Sequence, residues 1–154
     1  MTQKKYELLK NDTVTAPNGK TLYRIKSLIN FGVVVAGSLG GYIEKEDNLA
    51  HSGNAWVYGD ARVYDNAQVY GDALVYGKKD LVWFSNVGTE YGTLTVFKTK
   101  EGKLFASRGC FKGTVDEFLA KSAKVHDERI KREYRLLIEV AKSRLLGESY
   151  VPTF

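Results

Sequence analysis

The sequence predicts a mainly β protein: a short parallel β-helix of hexapeptide repeats, then an α+β part made of a small antiparallel sheet and two helices. Three observations carry that prediction. The first is Asn54 to Gly77, where one six-residue phrase is written four times, as AWVYGD, ARVYDN, AQVYGD and ALVYGK. Val57, Val63, Val69 and Val75 recur every six residues, each with an alanine two positions earlier and a tyrosine directly after. Helices place apolar residues three and four apart, so this run refuses a helix. Alanine and valine two apart share one face of a short strand, and Gly59, Asp65, Asn66 and Gly71 suit left-handed corners. Strand, corner, strand, corner at period six is the mark of a hexapeptide solenoid. The second observation is that the repeat stops after Gly77 and alternating apolar runs take over. The third is a capping box at Thr114 followed by helical periodicity to about Leu146.

Taken in order, residues 1–36 predict an N-terminal β cap. Tyr6–Leu9 suits a strand, Pro17-Asn18-Gly19-Lys20 a turn, Thr21–Ile25 an alternating strand, and Val33–Val35 a further β-branched run. Residues 37–80 predict the β-helix. Ile43 and Leu49 already stand six apart, and Val57 follows eight later, which asks for a looser corner near His51 to Asn54. The solenoid then holds about six rungs, or roughly two coils. So thin a prism must be closed by its flanks or by identical chains packed beside it.

Residues 81–154 predict the α+β module. Leu81–Phe84, Thr93–Phe97 and Leu104–Ser107 form an antiparallel meander, with a turn over Lys98–Lys103. Thr114 and Glu117 open a helix to about Ala123. A second helix runs from about Asp127 to about Leu146, with Ile130, Tyr134, Leu137, Ile138, Ala141 and Leu145 on one face. Pro152 forbids further helix, and Tyr150 and Phe154 are candidates to dock on a neighbour.

With 44% hydrophobic and 27% charged residues the chain can bury a core. A net charge of +5 is compatible with nucleic acid, nucleotides or an acidic protein surface and selects none of them. One cysteine, Cys110, excludes an intrachain disulfide and argues against a cysteine-based metal cluster. No secretory leader and no apolar run of membrane-spanning length is read, so the expectation is a soluble intracellular chain with no membrane partner.

The stretch LGGYIEKEDNLAHSGNAWVYGDARVYDNAQVYGDALVYG resembles the hexapeptide-repeat proteins carried by bacteriophages and prophages, and GCFKGTVDEF resembles a C-terminal module found in some of them. The resemblance covers about Leu22 to Leu146. It implies a phage or prophage gene acting in the bacterial host cytoplasm, a left-handed β-helix and frequent trimerisation. Accessory genes of this kind often act against host defence. The resemblance carries no catalytic residue onto this chain.

Several constellations are candidates for function. By their phase Tyr58, Tyr64, Tyr70 and Tyr76 point outward and, with Trp56, are candidates for an oligomer interface; tyrosine also simply suits β-structure. Asp60, Asp65 and Asp72 face different directions, so turn chemistry explains them better than a calcium ladder, and no metal or cofactor is expected. Hexapeptide acyltransferases use a solenoid histidine as base. His51 is the candidate here, although no carboxylate is evident to orient it and a satisfied corner residue explains it better. His126, beside Asp127 between the two helices, reads as a capping residue. Arg108-Gly109-Cys110-Phe111-Lys112-Gly113-Thr114 is a cationic loop delivered to a helix N-terminus, which suits an anion. An ordinary strand-to-helix turn, its glycines serving backbone geometry and Phe111 filling core, explains it better. It lacks the spacing of an NTP-binding P-loop, and Cys110 as nucleophile needs a histidine the sequence does not place. An anion site built on Arg108, Lys112 and Thr114 would add Arg132 or Arg135 from the second helix, with Trp83 or a tyrosine to stack on a base. The expected function is a non-enzymatic phage accessory protein that counters host defence by gripping a host protein or sequestering a nucleotide second messenger. An acyltransferase and a structural piece of a virion are the alternatives.

Overall fold

The computed structural model describes residues 4–99, 101–147 and 150; Pro152 and Phe154 lie outside that range. The chain divides into two compact units, Met1–Lys78 and Lys79–Phe154.

In the first unit, strands β1 (Tyr6–Thr15), β2 (Thr21–Ser27) and β3 (Leu39–Ile43) pair antiparallel, and β3 then pairs in parallel with the two-residue β5 (Arg62–Val63). Two further short strands, β4 (Trp56–Val57) and β6 (Leu74–Val75), form a separate parallel pair. The expected β-helix is therefore corrected: this unit is a four-stranded mixed sheet and a small parallel pair, and no solenoid is found among the described residues. The reason lies in how little strand each hexad supplies. Each hexad supplies a strand of at most two residues. The rungs are two residues long or single bridges, as at Leu49 and Val69. The longer β1–β3 ladder takes one of them as its edge. The valines at positions 57, 63, 69 and 75 and the alanines two before them are all buried. At the corners, Gly59, Asp65 and Gly71 take left-handed backbone and Asn66 does not.

The phrase GGYIEKEDNL has a packing explanation. A Cβ on Gly40 would lie 2.5 Å from the Val57 carbonyl oxygen, and one on Gly41 2.5 Å from that of Ala61. Only glycine lets β3 approach the repeats so closely. Asn48 is fully buried and hydrogen-bonds four backbone groups. Its Oδ1 accepts from the N–H groups of Glu44 and Lys45, and its Nδ2 donates to the carbonyls of Asp65 and Ala67. Val33–Val35 makes no strand. Its only ladder contact is one bridge between Phe31 and Val34, and Val33 and Val35 are exposed. Gly32 and Gly37 turn this segment too sharply for extended pairing.

The second unit is an antiparallel sheet of β7 (Leu81–Val87), β8 (Gly92–Lys98), β9 (Leu104–Arg108) and β10 (Phe111–Thr114), in the order β10-β9-β8-β7, with helices α1 (Val115–Val125) and α2 (Glu128–Leu146). The predicted meander gains a strand, because residues 111–114 pair with 105–108 instead of forming a loop. Thr114 and Glu117 close the capping box that starts α1. Asp127 caps α2 by accepting from the Ile130 N–H, and Gly147 ends it with φ 61°. Ile130, Tyr134, Ile138, Ala141 and Leu145 bury one face of α2 against Leu94, Val96, Ala106 and Phe118. Neither helix is long and apolar enough to cross a membrane.

Candidate functional site

The second unit holds a pocket of about 290 Å³ between the β9–β10 hairpin, the turn joining β7 to β8, and the facing ends of α1 and α2. Its aromatic wall is a ladder of edge-on contacts, Phe111 to Phe118 at 5.4 Å and Phe118 to Tyr134 at 4.8 Å between ring centres. Lys121, one turn along α1 from Phe118, carries its ammonium 5.6 Å over the Phe111 ring. His126, at the C-terminus of α1, shares a 2.8 Å hydrogen bond between Nδ1 and the buried Ser122 hydroxyl. That leaves Nε2 as the remaining polar atom of a ring that lines the pocket. Glu90 and Thr89 come from the β7–β8 turn, and the exposed Cys110 stands on the rim. No hydrogen bond joins Cys110 to His126 among the described residues, so the geometry makes no nucleophile–base pair.

Arg108 ends β9 and enters the pocket wall. Its Nη2 donates to the Val87 carbonyl at 3.5 Å, and its Nε is buried without a protein acceptor. The guanidinium sits where two glycines leave room. A Cβ on Gly92 would lie 2.7 Å from its Cζ, and one on Gly88 would lie 3.3 Å from its Nη2 and collide with the Tyr134 hydroxyl. A buried guanidinium nitrogen without an acceptor is costly in a finished interior.

The structure splits the predicted anion set. Arg108 faces Phe111 across the hairpin, so both side chains share one face of the sheet. Lys112 pairs with Ser107, one residue along, and so belongs to the other face. Thr114 is committed to its helix: its hydroxyl accepts from the Glu117 N–H at 3.1 Å, while its own N–H donates to Glu117 Oε1 at 2.8 Å. The Thr114 backbone N–H, and after it the Thr114 hydroxyl, hold the Glu117 carboxyl below its ordinary range, and this carboxylate already fills the anion place at the start of α1. Arg132 lines a second depression and Arg135 is exposed and lines neither. Sequence reasoning missed Lys121, His126, Ser122, Tyr134 and the two glycines as site residues. Tyr134 lies on the apolar stripe of α2, and nothing local distinguishes a core tyrosine from one that lines a pocket.

In the first unit the tyrosine set is also sorted. Trp56, placed in the interface set by its sequence, is 1% exposed and packs edge-on against Tyr6 and Phe31. Tyr58, Tyr64 and Tyr70 are half-buried; Tyr76 is 59% exposed and stacks on Tyr58 at 4.5 Å. His51 does have a carboxylate partner. Its Nδ1 accepts from the Lys5 backbone N–H at 3.0 Å, so Nε2 carries the hydrogen and donates to Glu46 Oε1 at 2.7 Å. With both nitrogens engaged and the ring stacked on Tyr6, His51 has no lone pair for a substrate. Among the described residues no group of three His, Cys, Asp or Glu could hold a metal ion.

Comparison of the chain with protein-family models and with curated proteins returns no match, so no relative lends either site a role.

Proposed function

We propose that this chain is a non-enzymatic binding protein whose C-terminal unit holds a small anionic ligand in the Arg108 pocket. One observation carries the reading: the Arg108 guanidinium lines a pocket that also receives Lys121 and His126. A phosphoryl group satisfies such a donor set by charge-assisted hydrogen bonds, and the aromatic wall gives a flat ring a surface to lie on. The saturated His51 supports binding over acyl transfer. The resemblance to phage hexapeptide-repeat proteins supports an accessory role against host defence, acting as a homo-oligomer. A pocket of this size favours sequestration of a nucleotide signal over the gripping of a host protein.

The test is a thermal-shift screen of cyclic dinucleotides, cyclic trinucleotides and ADP-ribose derivatives on the wild type and on Arg108→Ala, with coenzyme A as the acyltransferase control. A ligand specific for the folded state stabilises by about 2.7 kcal/mol at a hundredfold excess over Kd. The expected result is a shift with at least one phosphorylated ligand, lost in Arg108→Ala, and none with coenzyme A. A wild type that no member of the panel moves removes the small-ligand reading, and a protein target replaces it.

A further inference from the structure

We propose that the ligand is a dinucleotide, with one phosphoryl group at Arg108 and a second on the far side of the β7–β8 turn at Arg129 and Arg132. This rests on the small-anion reading above and extends it to the class of ligand. A second depression, of about 530 Å³, lies against the same turn, and Thr89 lines both. Arg129 and Arg132 stand three residues apart on α2 and so share one face of the helix; both line this depression. The two depressions repeat one charge pattern. Arg108, Lys121 and Glu90 line the first, and Arg129, Arg132 and Glu133 line the second. Each carries two cations and one carboxylate, a surplus that suits one phosphoryl group apiece.

Each also offers a ring. Phe111 lines the first, and Tyr91, 73% exposed, lines the second. The turn between them is held in unusual backbone: Asn86 and Tyr91 have φ of 65° and 52°, a region non-glycine residues seldom adopt, and Gly88 has φ 77°. Such conformations persist where the surroundings impose them, and they concentrate at ligand clamps. Here the result is a large apolar ring presented to solvent beside two arginines. A flat base above Tyr91 would cover that ring while its phosphate met the guanidinium groups.

Isothermal titration of the full chain with AMP, linear pApA and cyclic di-AMP, and with their guanine counterparts, tests the proposal. AMP supplies one phosphoryl group and one base; the dinucleotides supply two of each. The expected result is that at least one dinucleotide binds about tenfold or more tighter than its mononucleotide. Arg129→Ala with Arg132→Ala, two exposed positions, should abolish that advantage while a mononucleotide still binds at the Arg108 pocket, whereas Arg108→Ala should weaken both. A mononucleotide that binds as tightly as every dinucleotide overturns the proposal and leaves the Arg108 pocket standing. An advantage that survives the double substitution overturns the second subsite. If none of these probes binds, the dinucleotide proposal is overturned, and the screen above decides whether the small-anion reading falls with it.

Discussion

Arg108 owes its place to an absence. The bare Cα of Gly92 is the seat of its guanidinium, and a methyl group there would lie 2.7 Å from Cζ and Nη1. The end of an arginine side chain moves easily, and Gly92 is not in left-handed backbone, so Gly92→Ala should cost little stability. It should displace the guanidinium and weaken ligand binding nearly as far as Arg108→Ala does. Comparing melting temperature with binding by titration separates the two effects; unchanged binding would show that Arg108 does not contact the ligand. Gly88→Ala should behave differently, since its methyl meets the fixed Tyr134 ring from a left-handed backbone, and destabilisation of about 1–3 kcal/mol is expected. Arg108 was legible in the sequence as a cation beside glycines near a helix cap. Its partners were not, because Lys121, His126 and Tyr134 come from two helices whose facing is set by packing and not by local pattern.

Lys5 is the residue with the clearest pH signature. It is 1% exposed, its ammonium donates to the Ala55 carbonyl at 2.7 Å and lies 4.7 Å over the Phe31 ring, and burial lowers its pKa to about 8. Between about pH 8 and the unfolded value near 10.5 the unfolded chain holds the extra proton, so stability rises with pH across that window. Below pH 8 both states are protonated and the cost is constant. Burial, then Glu46 and Asp47, raise the neighbouring Tyr6 phenol, so above about pH 10 the unfolded chain loses a proton that the fold retains and stability falls again. Urea denaturation should therefore find the wild type more stable at pH 9.5 than at pH 7.5, by on the order of 2 kcal/mol. Lys5→Met should remove most of that difference. A variant with the same slope would assign the dependence to other groups.

At the scale of elements, the hexads show what periodicity can and cannot say. The spacing of Val57, Val63, Val69 and Val75 was enough to identify the buried positions, because alternation and corner chemistry are local. It could not say which sheet each two-residue strand would join. Register with β3 depends on Gly40 and Gly41 coming within contact of the Val57 and Ala61 carbonyls, an event between segments some twenty residues apart. Caps were more legible, since Thr114 with Glu117, and Asp127 with the Ile130 N–H, act within four residues. The β10 strand was hidden because RGCFKGT has the composition of a loop, and only pairing with Leu104–Arg108 makes it extended. Val63 gives the sharpest test at this scale. It is fully buried opposite Ile43, and an unpaired carboxylate there would cost several kcal/mol against a total stability of about 5–15 kcal/mol. Val63→Asp should abolish the cooperative transition of the first unit. A variant that kept its melting temperature would mean that the aspartate finds water.

For the whole molecule, the division at Lys78 and Lys79 sets where function sits. Both depressions, every cation assigned to them and the turn between them belong to the second unit. That unit has a continuous core from Leu94, Val96 and Ala106 through Phe118 to Ile138 and Ala141, and its two helices carry their own caps. Domains with a separate core fold alone in many proteins. A fragment beginning at Lys79 is therefore expected to show a helical circular dichroism spectrum and a cooperative melt. It should bind whichever nucleotide probe the full chain binds within about tenfold, a difference under about 1.4 kcal/mol. A fragment that folds yet fails to bind would move the ligand site out of this unit, and the first unit's exposed Val33, Val35 and Tyr76 would become the surface to examine. A fragment that does not fold would show that the core of residues 79–147 needs the first unit to be stable, while leaving the assignment of the pocket to the titrations on the full chain.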